Sequence, residues 1–173
     1  FGAIGLKAGS RILLSEMEHH ANLVPWQLAA QRFGCELDFL SVAEDGSLDL
    51  KELEDKLTSR TALVSLVHLS NVLGTINPIE EIIAAAHAKQ IPVLVDAAQS
   101  APRMTLDVSS MRPDFLVFSG HKLYGPTGIG VLYGRRELLE RMPPYQGGGD
   151  MIDNVELTRS TWNDLPHKFE AGT

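Results

Sequence analysis

Phe115-Leu116-Val117-Phe118-Ser119-Gly120-His121-Lys122 decides the fold: four apolar residues stop abruptly at Ser-Gly-His-Lys, and Leu123-Tyr124-Gly125-Pro126-Thr127-Gly128-Ile129-Gly130 follows. A short apolar run bounded by glycine, too brief for a helix, has the pattern of a buried strand. Upstream, Ile91-Pro92-Val93-Leu94-Val95 ends as suddenly in Asp96-Ala97-Ala98-Gln99. Two strand tips therefore carry a lysine and a carboxylate.

Working outward, the apolar runs predict strands at Arg11–Leu14, Leu37–Leu40, Thr61–Val67, Pro92–Val95, Phe115–Phe118 and Gly130–Tyr133. Helical patterns fit between most of them. Trp26, Ala29, Ala30 and Phe33 recur at helical spacing, and Pro25 is tolerated only in a first turn, which leaves His19 in the loop ahead of the helix. Asp49 followed by Glu52 reads as a capping box before Leu50, Leu53 and Leu57. Asn77, Pro78 and Glu80 repeat that logic before the buried stripe Ile79, Ile82, Ile83 and Ala86. A last short helix is expected at 135–142, and the tail from Pro143 to Thr161 reads as a long loop. Strands this apolar, alternating with helices, predict an α/β fold whose mainly parallel, mixed sheet is flanked by helices on both sides. Ligands in such sheets sit beyond the strand carboxyl ends. Asn71, Asp96, Gln99, Ser119, His121 and Lys122 are expected there.

The 173 residues suffice for one ordinary domain, and 44% apolar with 21% charged residues describes a globular chain. Fifteen basic against 22 acidic residues, net −7, with no basic cluster, argue against nucleic acid or an anionic membrane as partner. No apolar segment reaches the ~18 residues of a membrane span, and the amino end lacks signal-peptide features, so a cytoplasmic location is expected. The single cysteine, Cys35, excludes an internal disulfide and a cysteine-rich zinc site, and no metal site is expected. Phe1 and Thr173 have no terminal character, which suggests a piece of a longer chain. His68, ending an apolar strand, is expected to be a satisfied buried histidine; His87, near Lys89, is expected to be solvated.

A lysine at a strand tip suits imine chemistry with an aldehyde cofactor, because condensation removes the need for a free neutral amine from a group of pKa about 10.4. Pyridoxal phosphate (PLP) is such a cofactor, and it withdraws electrons well only while its ring nitrogen is protonated. A carboxylate about 4 Å away favours that cation by roughly 4 kcal/mol at an effective dielectric of ~20, or about three pKa units. Asp96 is the candidate. Gln99 and Asn71 are candidate donors to the phenolic oxygen, with the substrate carboxylate as a second option for Asn71. His19 can stack on the ring and move a proton at the substrate. Ser119 and His121 offer donors to the phosphate. The glycines at 125, 128 and 130 lead into a strand rather than a helix, unlike a dinucleotide-binding turn.

Asp96-Ala97-Ala98-Gln99 and the run from Ser119 to Gly134 resemble the class V aminotransferases of fold-type I PLP enzymes. More narrowly, Met17-Glu18-His19-His20-Ala21-Asn22-Leu23-Val24-Pro25-Trp26-Gln27, Ser70-Asn71-Val72-Leu73-Gly74-Thr75 and Phe169-Glu170-Ala171-Gly172-Thr173 look like the SufS-type, or group II, cysteine desulfurases. The resemblance implies that Lys122 forms the Schiff base, Asp96 pairs with the pyridine nitrogen, Gln99 bonds the phenolic oxygen and His19 stacks on the ring. It assigns phosphate to Ser119 and His121, the substrate to Asn71, and the phosphate site of the other subunit of a homodimer to Thr173. The implied reaction takes L-cysteine to L-alanine and leaves a persulfide for a sulfur-acceptor protein of the SUF system and for iron–sulfur cluster assembly. In that family the persulfide cysteine and the substrate-binding arginine would lie beyond residue 173, and a phosphate-binding glycine–threonine turn before residue 1. Residues 1–173 are thus expected to form most of the large PLP-binding domain, without the small domain, and Cys35 does not inherit the sulfur-carrying role. A selenocysteine lyase, a kynureninase-like hydrolase, an aminotransferase and a noncatalytic cofactor-domain fragment remain as alternatives.

Overall fold

Alternation along each apolar run places successive side chains on opposite faces of a sheet, and the computed structural model, which describes residues 5–170, divides its core accordingly. The strands are β1 (Arg11–Ser15), β2 (Glu36–Leu40), β3 (Thr61–Val67), β4 (Val93–Asp96), β5 (Phe115–Ser119) and β6 (Gly130–Gly134). They pair in the order β2-β1-β3-β4-β5-β6, with β6 antiparallel to β5 and every other pair parallel. This is the mixed, mainly parallel sheet expected from the sequence.

Helix α1 (Val24–Phe33) covers one face, where Trp26, Ala29, Ala30 and Phe33 pack on Ile12, Leu14 and Leu63. Pro25 sits in its first turn, and Gly34 ends it at φ 68°, a left-handed conformation that glycine adopts at little cost. Helices α2 (Leu53–Lys56) and α3 (Ile79–Ala88) cover the other face, burying Leu53, Ile79, Ile82, Ile83 and Ala86 against Leu13, Val64, Leu66, Val93 and Val95. Each of the buried leucine, isoleucine and valine side chains contributes about 1.5–3 kcal/mol through removal from water. Two shorter helices follow, α4 (Val108–Met111) and α5 (Arg136–Arg141). Because α1 leaves β1 on one face and α3 leaves β3 on the other, the connections diverge between β1 and β3 and open a crevice at their carboxyl ends.

Three local expectations are corrected. Asp49 accepts a hydrogen bond from the Lys51 amide (3.0 Å), but Glu52 turns away from the cap to Ser41 (2.9 Å to Oγ) and Lys56 (2.9 Å). The Ser41 amide also donates to Glu52 (3.2 Å), and the Asp49 amide that a capping box would engage donates instead to the Ser41 carbonyl (2.9 Å). Asn77 does not cap α3; it is buried, and its Nδ2 donates to the Val67 carbonyl (2.8 Å), tying the turn back to β3. The tail beyond Pro143 is not all loop: β7 (Ile152–Val155) and β8 (Ser160–Trp162) pair as an antiparallel hairpin. Strands of four and three residues, mostly exposed, carry too little alternation to read.

Candidate active site

Parallel strands bring their carboxyl ends to one edge, so the order of strands sets the order of candidate residues along it. His19 follows β1, Asn71 follows β3, Asp96 ends β4, and Ser119 ends β5 with His121 and Lys122 just beyond. Asp96 lies opposite Val117 in the β4–β5 register, and the Ala97 amide donates to the Val117 carbonyl (2.8 Å). The carboxylate and the lysine therefore occupy the same end of adjacent strands.

The Ser-Gly-His-Lys segment is held by close backbone packing. Residues Gly120–Leu123 form a single 3-10 turn, and the Gly120 amide donates to the Ile129 carbonyl (2.8 Å). A side chain at Gly120 would come within 2.8 Å of Ile129 Cγ2 and 3.1 Å of its carbonyl oxygen, so only glycine permits this crossing. Lys122 is half-buried and carries neither ion pair nor side-chain hydrogen bond among the described residues. Ser119 and His121 likewise keep their side-chain donors free there.

Asp96 is buried, with Oδ1 accepting the Ala98 amide (2.9 Å) and Oδ2 without a partner among the described residues. Gln99 Oε1 accepts from Arg103 (2.7 Å), which leaves its amide NH2 as the free end. Asn71, Gln99 and Arg103 line one cleft with Gly74. Asp96, Ser119, Lys122, His121 and His19 share the edge without lining that cleft. His19 is exposed, and its Nδ1 accepts the Ala21 amide (3.1 Å). In the neutral ring the proton must then sit on Nε2, where it is available for transfer. Thr173 lies outside the described residues.

One group at this edge escaped the sequence reading. Glu18, beside His19, accepts hydrogen bonds from Ser15 Oγ (2.5 Å), Asn22 Nδ2 (2.6 Å) and the Val67 amide (3.1 Å). Burial pushes its carboxyl up to about 7 against the pull of those three donors, and the field of Asp96 adds to the rise. Its sequence signal is weak, because Glu16 two residues earlier is equally acidic and only Glu18 turns into the crevice.

A second cavity opens at the opposite edge, where His87, Asp114, Arg135 and Arg141 line it. There Asp114 gathers the neighbouring charges: it is buried and bonds His87 Nε2 (2.7 Å) and the Val93 amide (2.8 Å), with Arg135 at 3.5 Å, while Arg141 has no ion pair among the described residues. His87 is thus a partner of Asp114, not the solvated residue expected. His68 is buried as expected, yet its Nδ1 has no hydrogen-bond partner, and burial lowers its pKa. Cys35 is buried in the α1 cluster, and desolvation raises its thiol pKa, which disfavours the thiolate. No helix among the described residues is long and apolar enough to cross a membrane.

Comparison with known proteins finds relatives along nearly the whole chain. The aminotransferase class-V family profile matches residues 2–173. A probable cysteine desulfurase of Streptomyces coelicolor is 52% identical over 164 residues, covering 95% of this chain and 39% of its own length. A cysteine desulfurase of Dickeya dadantii is 52% identical over 174 residues, covering 100% of this chain and 42% of its own. Among solved structures, the cysteine desulfurase CsdA (S-sulfonic acid) from Escherichia coli superposes with a TM-score of 0.92 at 44% identity, covering 97% of this chain and 42% of that one. The chain spans about two-fifths of the length of these relatives. With a family match across nearly all of its residues and the sheet of the solved relatives, this chain belongs to the class-V aminotransferase family.

Proposed function

We propose that residues 1–173 are most of the large cofactor domain of a PLP-dependent cysteine desulfurase of the SufS type. The reaction is conversion of L-cysteine to L-alanine, with the sulfur left as a persulfide on an enzyme cysteine outside this chain. The observation that carries the proposal is the pairing of two under-used groups, Asp96 and Lys122, at the tips of adjacent parallel strands in a chain about half identical to cysteine desulfurases.

The residues fit PLP. A buried carboxylate with one free oxygen suits a protonated ring nitrogen, and a lysine without ion pair suits a covalent anchor. When bound, PLP supplies an electron sink to the substrate α-carbon. Lys122 would hold it, Asp96 would keep its ring nitrogen charged, and the free NH2 of Gln99 would donate to its phenolic oxygen. Ser119 and His121 would bind the phosphate, with Thr173 reaching the same site in the partner of a homodimer. Asn71 would orient the substrate. His19 would cover the ring and move a proton at the substrate through Nε2, since Nδ1 is engaged by Ala21. A sulfur-acceptor protein of the SUF system and a cytoplasmic setting belong to the same proposal.

The test uses the complete reading frame. With PLP the protein should turn yellow, and borohydride should trap the cofactor on Lys122. Fed cysteine, it should release alanine and reducible sulfur in equal amounts, and K122A should lose at least about a thousandfold in turnover. Transfer of the amino group to an oxo acid without sulfur release would overturn the proposal.

A further inference from the structure

Glu18 occupies the crevice between β1 and β3 where the helical connections part to opposite faces. It accepts from the end of β1 (Ser15), the end of β3 (the Val67 amide) and the turn that follows His19 (Asn22). Asn22 is itself buried and fixed: its Oδ1 accepts from Ser65 Oγ (2.7 Å) and from Trp26 Nε1 (3.1 Å). One carboxylate thus clamps the first turn after His19 to two strand ends and, through Asn22, to α1. His19 sits between the clamped residues 18 and 22, with its ring bonded to Ala21 inside the same turn. None of the assigned cofactor contacts uses Glu18.

We infer that Glu18 is a positioning residue for His19, fixing the turn that presents the imidazole to the cofactor ring. The inference rests on the cofactor site proposed above. The groups around the carboxylate are mostly neutral donors: Ser15 from β1, the Val67 amide from β3, and Asn22 from the turn. Asp96 on β4 is the charged group acting on it, and His19 and His20 are the titratable groups of the turn itself. Its carboxyl is raised to about 7 by burial, so the three bonds it accepts strengthen as pH rises through neutrality while the buried charge itself costs the fold stability.

The experiment measures PLP affinity of the full-length protein by absorbance titration in four forms: wild type, E18Q, H19A and E18Q/H19A. Gln replaces the carboxylate with an amide of nearly the same shape that opposes one of the three donors. E18Q should weaken binding about fivefold in the wild-type background and less than about twofold in H19A, a coupling within the usual range for neighbouring groups. The amide resonance of Val67, followed without cofactor, should shift with a midpoint near pH 7 in wild type and stay flat in E18Q. Equal weakening in both backgrounds would make Glu18 purely structural and overturn the inference while leaving the cofactor site intact. Failure of wild type to bind PLP would instead overturn the cofactor site, and the inference with it. Should E18Q not fold, S15A, which removes one donor and keeps the charge, should show the same coupling at about half the size; equal effects in both backgrounds would again overturn the inference.

Discussion

The two edges of the sheet use the same kinds of residue to opposite ends. At the amino edge, Asp114 holds His87, Arg135 and the Val93 amide, and Glu36 binds both Arg11 (3.1 Å) and Arg60 (2.5 Å). At the carboxyl edge Lys122 has no partner among the described residues, and Asp96 has a single backbone donor. A buried charge without a full set of partners costs stability, and under the function proposed above a ligand at the carboxyl edge would complete those partners. The concavity at the amino edge is by contrast a structural joint, built around the bonds that Asp114 makes.

That contrast can be broken by exchanging the roles of the two aspartates. D96N keeps the acceptor for the Ala98 amide but loses the charge, so turnover should fall about a hundredfold or more, against the ~4 kcal/mol expected of a ring-nitrogen partner. Its melting temperature should stay within about 2 °C of wild type, because the backbone bond survives. D114A should do the reverse. Loss of the acceptor for His87 and Val93 should cost about 2–3 kcal/mol in denaturant unfolding, with the PLP absorption band unchanged.

Glu18 sharpens the comparison, being the carboxyl edge's own structural charge. Its folded pKa of about 7 lies above the 4.5 of an unperturbed glutamate, so the folded chain binds more protons than the unfolded chain between those values. Stability should therefore fall as pH rises from about 5 to 7, by on the order of 2 kcal/mol after allowing for partial exposure, and level off above. E18Q should flatten that slope; an unchanged slope in chemical denaturation would show that another group is responsible. The smallest effect should come from R60A, whose exposed pair with Glu36 is screened by water, and the melting temperature should move by less than about 2 °C.

The six strands of the main sheet were legible because their signal is local. Thr61–Val67 matches its expected bounds, and the other five differ from theirs by a residue or two at their ends. Lys122 and Asp96 were legible for the same reason, each standing where an apolar run stops. What escaped reading depends on distant partners. Asp114 lies 27 residues from His87, and Val67 lies 49 from Glu18. Asn77 has the composition of a cap, yet the Val67 carbonyl, ten residues back, wins its amide. Gln99 was read as a donor, but the bond from Arg103 that frees its NH2 was not.

By itself the sequence determined the α/β class, the order of strands and helices along the chain, and the two strand tips that carry an amine and a carboxylate. Side-chain period and turn chemistry act within a few residues, so no tertiary information is needed to read them. Only the tertiary structure decided which charges are satisfied and which are left free, and that Glu18 titrates near neutrality at the β1–β3 crevice. Burial and partner choice are properties of surroundings assembled from the whole chain, and a carboxylate's protonation follows those surroundings, not its neighbours in sequence.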